Sequence, residues 1–339
     1  MRVLMFGWEF PPHISGGLGT ACFGITNGLL KQDVEVLFVV PRLYGDEDKE
    51  RFRLLNASDV MVNIANSYTR NQWQKLTYLQ IQSSLVPYVS PEEFTTSEHY
   101  FSKQEETEHH HPFSKRFQLS GEYGTNLMNE IARYALVASE IAKSNSFDII
   151  HAHDWLTFPA GISAKEATGK PLIVHVHATE FDRSGENINP HVYEIEKRGM
   201  EVADQVIAVS EFTRQIIINR YDIAADKVIV VHNGVISKNE PEEKNGVKKL
   251  KEKVVTFMGR ITFQKGPDYF VETANKVLKR IPNVRFVMAG NGDMMNRMIK
   301  RVAELRISSR FHFTGFLKGD EVSRMYAMTD VYVMPSVSE

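Results

Sequence analysis

Arg260 and Lys265, within VVTFMGRITFQKGP (Val254 to Pro267), are the side chains in this sequence best suited to chemistry on an anion. A guanidinium offers a planar fork of donors and an ammonium a mobile point charge, a pairing that fits an oxygen-rich anion such as a diphosphate. The apolar run Val254 to Met258 reads as a buried strand and Pro267 as the first residue of a helix, which sets both cations in the turn at the strand's carboxyl end. In an open α/β sheet, ligands bind at that edge. A solvated basic loop is the bland alternative, since most Lys and Arg are simply exposed.

Histidines form the second concentration of reactive groups. HAHDW carries His151 and His153, with Asp154 and Trp155 in the turn after them, and HVHATEFDR carries His175 and His177. Within each pair the side chains fall on one side of a strand. Hydrogen-bonded buried histidines are the default for each pair and metal ligation is the rival. No carboxylate stands at H-x-x-E-H or H-E-x-x-H spacing, so the reading is a set of imidazoles that bond a hydroxyl-rich ligand, with no metal. His109, His110 and His111 are consecutive, share no face, and read as a surface loop.

Glycines supply the remaining candidates. Gly16, Gly17 and Gly19 follow the first strand and precede a helix, where backbone N–H groups and the helix terminus suit a phosphate or a developing anion. The fingerprint G-x-G-x-x-G is not met, and a turn needing positive φ explains the same residues. Gly290, Asn291 and Gly292 follow another strand and could let a flat group such as a nucleotide base lie against the backbone; a plain turn is the alternative.

These groups need an α/β framework, and the apolar pattern provides one. Arg2 to Gly7, Val34 to Val40, Asp148 to His153, Pro171 to His177, Gln205 to Val209 and Lys227 to Val231 read as strands alternating with helices, and the pattern restarts at Val254 with strands at Val284 to Ala289, Arg310 to Phe313 and Val331 to Met334. With 339 residues, two domains are expected. The charged run ISKNEPEEKNGVKKLKEK marks the linker, giving domains of 1–236 and 237–339. An insertion at about 45–124, with a strand-like piece at Leu76 to Gln82, could cover the site. The last strand runs directly into Glu339, so the second domain reads as incomplete.

Bulk numbers exclude some partners. The 40 basic and 42 acidic residues leave a formal charge of -2, which favours neither nucleic acid nor an anionic membrane. The single cysteine, Cys22, cannot form an internal disulfide and reads as a small core residue on a helix bearing Leu18, Ile25 and Leu29. With no membrane-length apolar run and no signal peptide, the expectation is a soluble, cytoplasmic protein.

Taken in order, GGLG, HDW, HATEFDR, VSEFTR, VHNGV, GRITFQKG, GNGD and GFLKGDEVSRMYAMTDVYVMPSVSE resemble the motifs of retaining GT-B glycosyltransferases, most of all family 4 and the related bacterial glycogen and starch synthases. The resemblance spans nearly the whole chain apart from the insertion. It implies two Rossmann-like domains facing a cleft, the first binding the acceptor and the second a nucleotide-sugar. It implies that Arg260 and Lys265 hold the diphosphate, that Gly16 and Gly17 meet the donor from the opposite wall, and that His177 lies near the transferred sugar. His153, Asp154 and Trp155 match the segment near the acceptor. Glu339 matches the first glutamate of an E-x7-E pair that binds sugar hydroxyls, and its partner would fall past the last residue. By the same resemblance the leaving phosphate oxygen takes the acceptor proton, so configuration is retained with no protein nucleophile and no metal cofactor. Trp155 and the length of HATEFDRSGE favour a glycogen synthase that extends an α-1,4-glucan from ADP-glucose or UDP-glucose; the alternative is transfer to a sugar phosphate, lipid-linked sugar or small glycoside. A two-carboxylate hydrolase has only Glu180 and Asp182, expected on one side of a strand and too close in sequence to flank a sugar. A binding protein or an NAD-dependent oxidoreductase fits the two Rossmann-like halves alone.

Overall fold

The structure is a computed structural model, and it describes residues 1–13, 17–63, 114–121, 123–124, 126–234, 251–317 and 320–337. Its contacts divide the chain into two units, Met1–Phe181 with Asn187–Val235, and Asp182–Glu186 with Ile236–Glu339. The strand-like piece expected at Leu76 to Gln82 and the triple histidine lie outside the described residues.

In the first unit the described strands are β1 (Arg2–Phe6), β2 (Glu35–Val40), β3 (Arg53–Asn56), β4 (Met61–Asn63), β5 (Ser114–Arg116), β6 (Ile149–His153), β7 (Leu172–Val176), β8 (Gln205–Ala208) and β9 (Val228–Val230). The helices are α1 (Gly17–Leu30), α2 (Leu127–Ser144), α3 (Phe158–Thr168), α4 (Glu180–Ser184), of which only Glu180 and Phe181 are grouped with this unit, α5 (Pro190–Val202) and α6 (Glu211–Tyr221). Seven strands form one parallel sheet in the order β3-β2-β1-β6-β7-β8-β9, while β4 and β5 pair antiparallel apart from it. The reversal at β1 and β6 is the topological switch at which such sheets open a crevice for ligands.

Both faces of the sheet are covered, which explains why its central strands are largely apolar on both faces rather than alternating. Leu4, Phe6, Ile150, Ala152, Val174 and Val176 point to the face packed by α2, α3 and α5. Val3, Met5, Val36, Phe38 and Cys22 of α1 form the core of the other face. Register fixes where the histidines go. Met5 stands opposite His151 and His153 opposite His175, so these imidazoles project to the same face as Met5, under α1. Ser210 caps α6, its hydroxyl accepting from the Thr213 N–H at 3.0 Å.

Two expectations need correction. The sheet does not stop at residue 45, because β3 at Arg53–Asn56 extends it parallel to β2, its polar ends having hidden a short edge strand. Glu180 and Asp182 do not lie on a strand; the chain turns after β7 and both sit buried on the short helix α4.

The second unit contains β10 (Lys253–Met258), β11 (Val284–Ala289), β12 (Phe311–Gly315) and β13 (Val331–Tyr332), parallel in the order β12-β11-β10-β13. Helices α7 (Pro267–Leu278) and α8 (Met295–Glu304) bury Phe270, Val271, Ala274, Met298 and Val302 against one face. Met325 of α9 (Asp320–Met328) meets Val254 and Val287 on the other. Each fully buried side chain of this size contributes about 1.5–3 kcal/mol by leaving water. The fold is mixed α/β with two Rossmann-like units.

Candidate active site

In the first unit, the carboxyl ends of β6 and β7 bring four histidines together. Ring centroids are 4.2 Å apart for His151 and His153, 5.2 Å for His153 and His175, 4.4 Å for His175 and His177, and 5.3 Å for His153 and His177. His153 Nδ1 and His177 Nε2 face each other at 3.0 Å and share one proton. The rest of the cluster is unlike the hydrogen-bonded buried histidines that are the default at such positions: His151 Nε2, His153 Nε2 and both ring nitrogens of His175 are buried with no hydrogen-bond partner. A buried polar atom in that condition costs about 1–3 kcal/mol, so the stack is held by the sheet at an energetic expense.

Neutral imidazole is the form this environment selects. Burial holds His151 and His153 well below the usual histidine range, with neighbouring imidazoles adding to the effect. Burial, with the adjacent His177, takes His175 down to about 2, and burial takes His177 to about 4. Sequence spacing gave no sign that Cys22 would join this group, because the contact runs between elements. The thiol sulfur and one ring nitrogen each of His153 and His177 lie within 4.8 Å of one another. Burial pushes the Cys22 thiol well up, and the charges of Asp154 and Glu9, both buried, push it further.

Asp154 ties the two strand ends. It adopts a left-handed backbone at φ 59°, its N–H bonds the His175 carbonyl at 2.9 Å, and its Oδ1 accepts from the His177 N–H at 2.6 Å. Asp tolerates that conformation better than most residues. Trp155 is 1% exposed and packs in the main core. Its ring therefore offers no open face to a saccharide in this conformation, and His153 is likewise fully buried, while His177 is half-buried. Gly17 is the exposed first residue of α1, and among the described residues nothing lies within 4 Å of where a Cβ would sit. Gly16 lies outside the described residues, as does Glu339. Glu180 is committed elsewhere: its Oε1 accepts from the Asn189 N–H at 3.0 Å.

In the second unit, the loops after β10 and β11 are joined backbone to backbone. Gly259 N–H bonds the Ala289 carbonyl at 3.0 Å, Ile261 N–H the Asn291 carbonyl at 2.9 Å, and Met294 N–H the Ile261 carbonyl at 3.1 Å. Gly290, at φ 138°, admits this approach, since a Cβ there would stand 1.8 Å from the Gly259 carbonyl oxygen. A Cβ on Gly292 would stand 2.3 Å from that of Ile261. The absent side chains of these two glycines thus admit the neighbouring loop, and Asn291 is exposed beside it.

Arg260 emerges exposed from this junction and Lys265 ends the next turn, half-buried. Burial, then the Arg260 guanidinium, lowers the Lys265 ammonium below its ordinary range, so the two charges stand close enough to repel. Asp293 on the adjoining loop was not anticipated. Desolvation raises its carboxyl, while Arg260 acts in the opposite direction. A groove of about 540 Å³ in the same unit is lined by Tyr269, Arg297, Lys300 and Arg301 among others, and its two arginines are paired, Arg297 with Asp268 at 3.0 Å and Arg301 with Glu272 at 2.6 Å.

Comparison with known proteins decides the family. A model described as Glycosyltransferase Family 4 matches residues 99–238, and one described as Glycosyl transferases group 1 matches 238–339. The chain belongs to the family 4 glycosyltransferases of the GT-B fold. This glycosyltransferase is 26% identical over 352 residues to an uncharacterised glycosyltransferase of Methanocaldococcus jannaschii, an alignment that takes in all of this chain and 75% of that protein. It is 21% identical to the glycogen synthase of Mycobacterium tuberculosis over 99% of this chain and 72% of that one. Among solved structures, sucrose-phosphate synthase from Thermosynechococcus elongatus superposes with a TM-score of 0.64 at 13% identity, covering 99% of this chain and 75% of the other. Anabaena HepE in complex with UDP-glucose superposes with a TM-score of 0.58 at 17% identity over 99% and 74%. These likenesses share the fold. Among the described residues of the glycosyltransferase, no helix is long and apolar enough to cross a membrane.

Proposed function

We propose that this glycosyltransferase moves a glucosyl group from UDP-glucose or ADP-glucose to a saccharide hydroxyl with retention of configuration, and that Arg260 and Lys265 stabilise the departing diphosphate. The observation that carries this reading is the pair itself: two cations held close enough for one to depress the other, at the carboxyl end of β10. A diphosphate bound at that strand end would offset the repulsion between the two cations. As the anomeric C–O bond breaks, negative charge gathers on the phosphate oxygens. Donors already fixed there need no reorganisation, and each is worth about 3–4 kcal/mol of barrier.

The acceptor hydroxyl attacks from the face the diphosphate leaves, and its proton passes to the leaving phosphate oxygen. His177 contacts the transferred sugar through Nδ1 of a neutral imidazole, offering a hydrogen bond without competing charge, while its Nε2 faces His153. Its orientation comes from Asp154 through the backbone N–H. Gly17 leaves room at the start of α1 for close approach of the donor, and no metal is required because side-chain cations carry the charge.

For the acceptor, an α-1,4-glucan is the proposal. Its support is the alignment with a glycogen synthase over 99% of this chain, since Trp155, which favoured a glucan in the sequence, is a core residue. Incubation of the chain with maltooligosaccharides and either labelled nucleotide-sugar tests it, with the anomeric configuration of the product read by NMR. Growth of the oligosaccharide by α-linked glucose is expected. Transfer only to a sugar phosphate or small glycoside would remove the glucan, and a β-linked product would remove retention.

A further inference from the structure

We infer that Cys22, His153 and His177 form a binding site for a zinc ion beneath the start of α1. Three donor atoms from three separate elements, α1, the end of β6 and the residue after β7, lie within 4.8 Å of one another. Ligands on a tetrahedral ion with bonds of about 2.0–2.3 Å stand about 3.3–3.8 Å apart, so side-chain shifts of about 1 Å close the triad. Two of the donors already meet at 3.0 Å, His153 Nδ1 against His177 Nε2. The donor set is one thiol and two imidazoles, which suits zinc rather than magnesium or calcium.

Zinc entering the site releases the Cys22 proton to solvent, and the proton held between the two rings moves to the outer nitrogen of the ring that carried it. For His153 that outer nitrogen is Nε2, which is buried without a partner. His177 is half-buried, which leaves an approach from its side, and three protein donors would leave the fourth position of a tetrahedral ion to water or another ligand.

Two other groups of potential ligands fare worse. His151, His153 and His175 also lie within 4.8 Å, but His151 and His175 stack at an interplanar angle of 10°, so their in-plane lone pairs do not converge. In the third group His13 is bonded to Asp46 at 2.7 Å, and Glu47 accepts from the N–H groups of Tyr44 and Gly45.

The test needs no turnover, so its failure is separate from failure of the transfer reaction. The chain is stripped with chelator, incubated with zinc or cobalt, desalted, and its metal content measured. One zinc per chain is expected, together with a cobalt spectrum bearing a thiolate charge-transfer band. Cys22→Ser should abolish that band and weaken metal binding at least tenfold, and His177→Gln, at a half-buried position, should weaken it comparably while keeping native circular dichroism. Should Cys22→Ser fail to fold, protection of Cys22 from maleimide by zinc in the unaltered chain is the equivalent readout. No retained metal, a cobalt spectrum without the thiolate band, or equal maleimide reaction with and without zinc would overturn the inference.

Discussion

Asp154 accepts the backbone N–H of His177 at 2.6 Å, joining the end of one sheet strand to the first residue beyond the next. The bond holds the histidine that meets the sugar in the proposed reaction, and it does so through the main chain, leaving the imidazole available. Asp154→Ala removes a charged acceptor from a partly buried donor and sets a residue poorly suited to φ 59° in its place. A stability loss of about 2–3 kcal/mol is expected in urea denaturation. Asp154→Asn keeps an acceptor and tolerates the same backbone, so it should cost clearly less.

Gly290 and Gly17 make a contrasting pair. A Cβ on Gly290 would collide with the Gly259 carbonyl at 1.8 Å in a backbone conformation that L residues avoid. Gly290→Ala should destabilise the second unit by about 3 kcal/mol or more, read by denaturation or by hydrogen exchange in β10 and β11. Gly17→Ala meets nothing within 4 Å among the described residues and should leave stability within about 0.5 kcal/mol. If Gly17 faces the donor as proposed, the same change lowers kcat/KM without unfolding the chain.

The histidine stack sets a pH dependence whose sign is fixed. His177 and His175 titrate near 4 and 2 when folded, below the ordinary value of 6.5, so protons bind the unfolded chain first. Their contribution to stability is complete above pH 6.5 and is lost as pH falls from there towards about 4 for His177, and further for His175. Each such group costs about 1.4 kcal/mol per pH unit within its window. Urea midpoints in metal-free buffer should therefore drop between pH 7 and pH 5, and His175→Gln should flatten the slope by one proton. An unchanged slope would contradict a neutral buried His175.

Much of this arrangement was legible because it is local. The apolar run before Gly259, the proline opening α7 and the hydroxyl capping α6 all act within a few residues, and the strands and helices they predict are present. The pairing of His151 with His153 followed from strand alternation alone. What the sequence hid depends on register between distant segments. That Cys22 meets His153 follows from Met5 standing opposite His151, which no spacing along the chain reveals. Trp155 sits one residue from Asp154, yet a turn sends the ring into the core and the carboxylate to the strand end. β3 was missed because an edge strand bearing Arg53 and Asn56 lacks the apolar signature of a doubly covered one.

Calorimetric titration of UDP and ADP into the unaltered chain, Arg260→Ala and Lys265→Ala tests the electrostatic core of the proposal most directly. A nucleoside diphosphate should bind the unaltered chain, and either substitution should weaken it at least tenfold, about 1.4 kcal/mol or more, while the fold is retained. Affinities equal in all three chains would show that these cations do not hold the diphosphate.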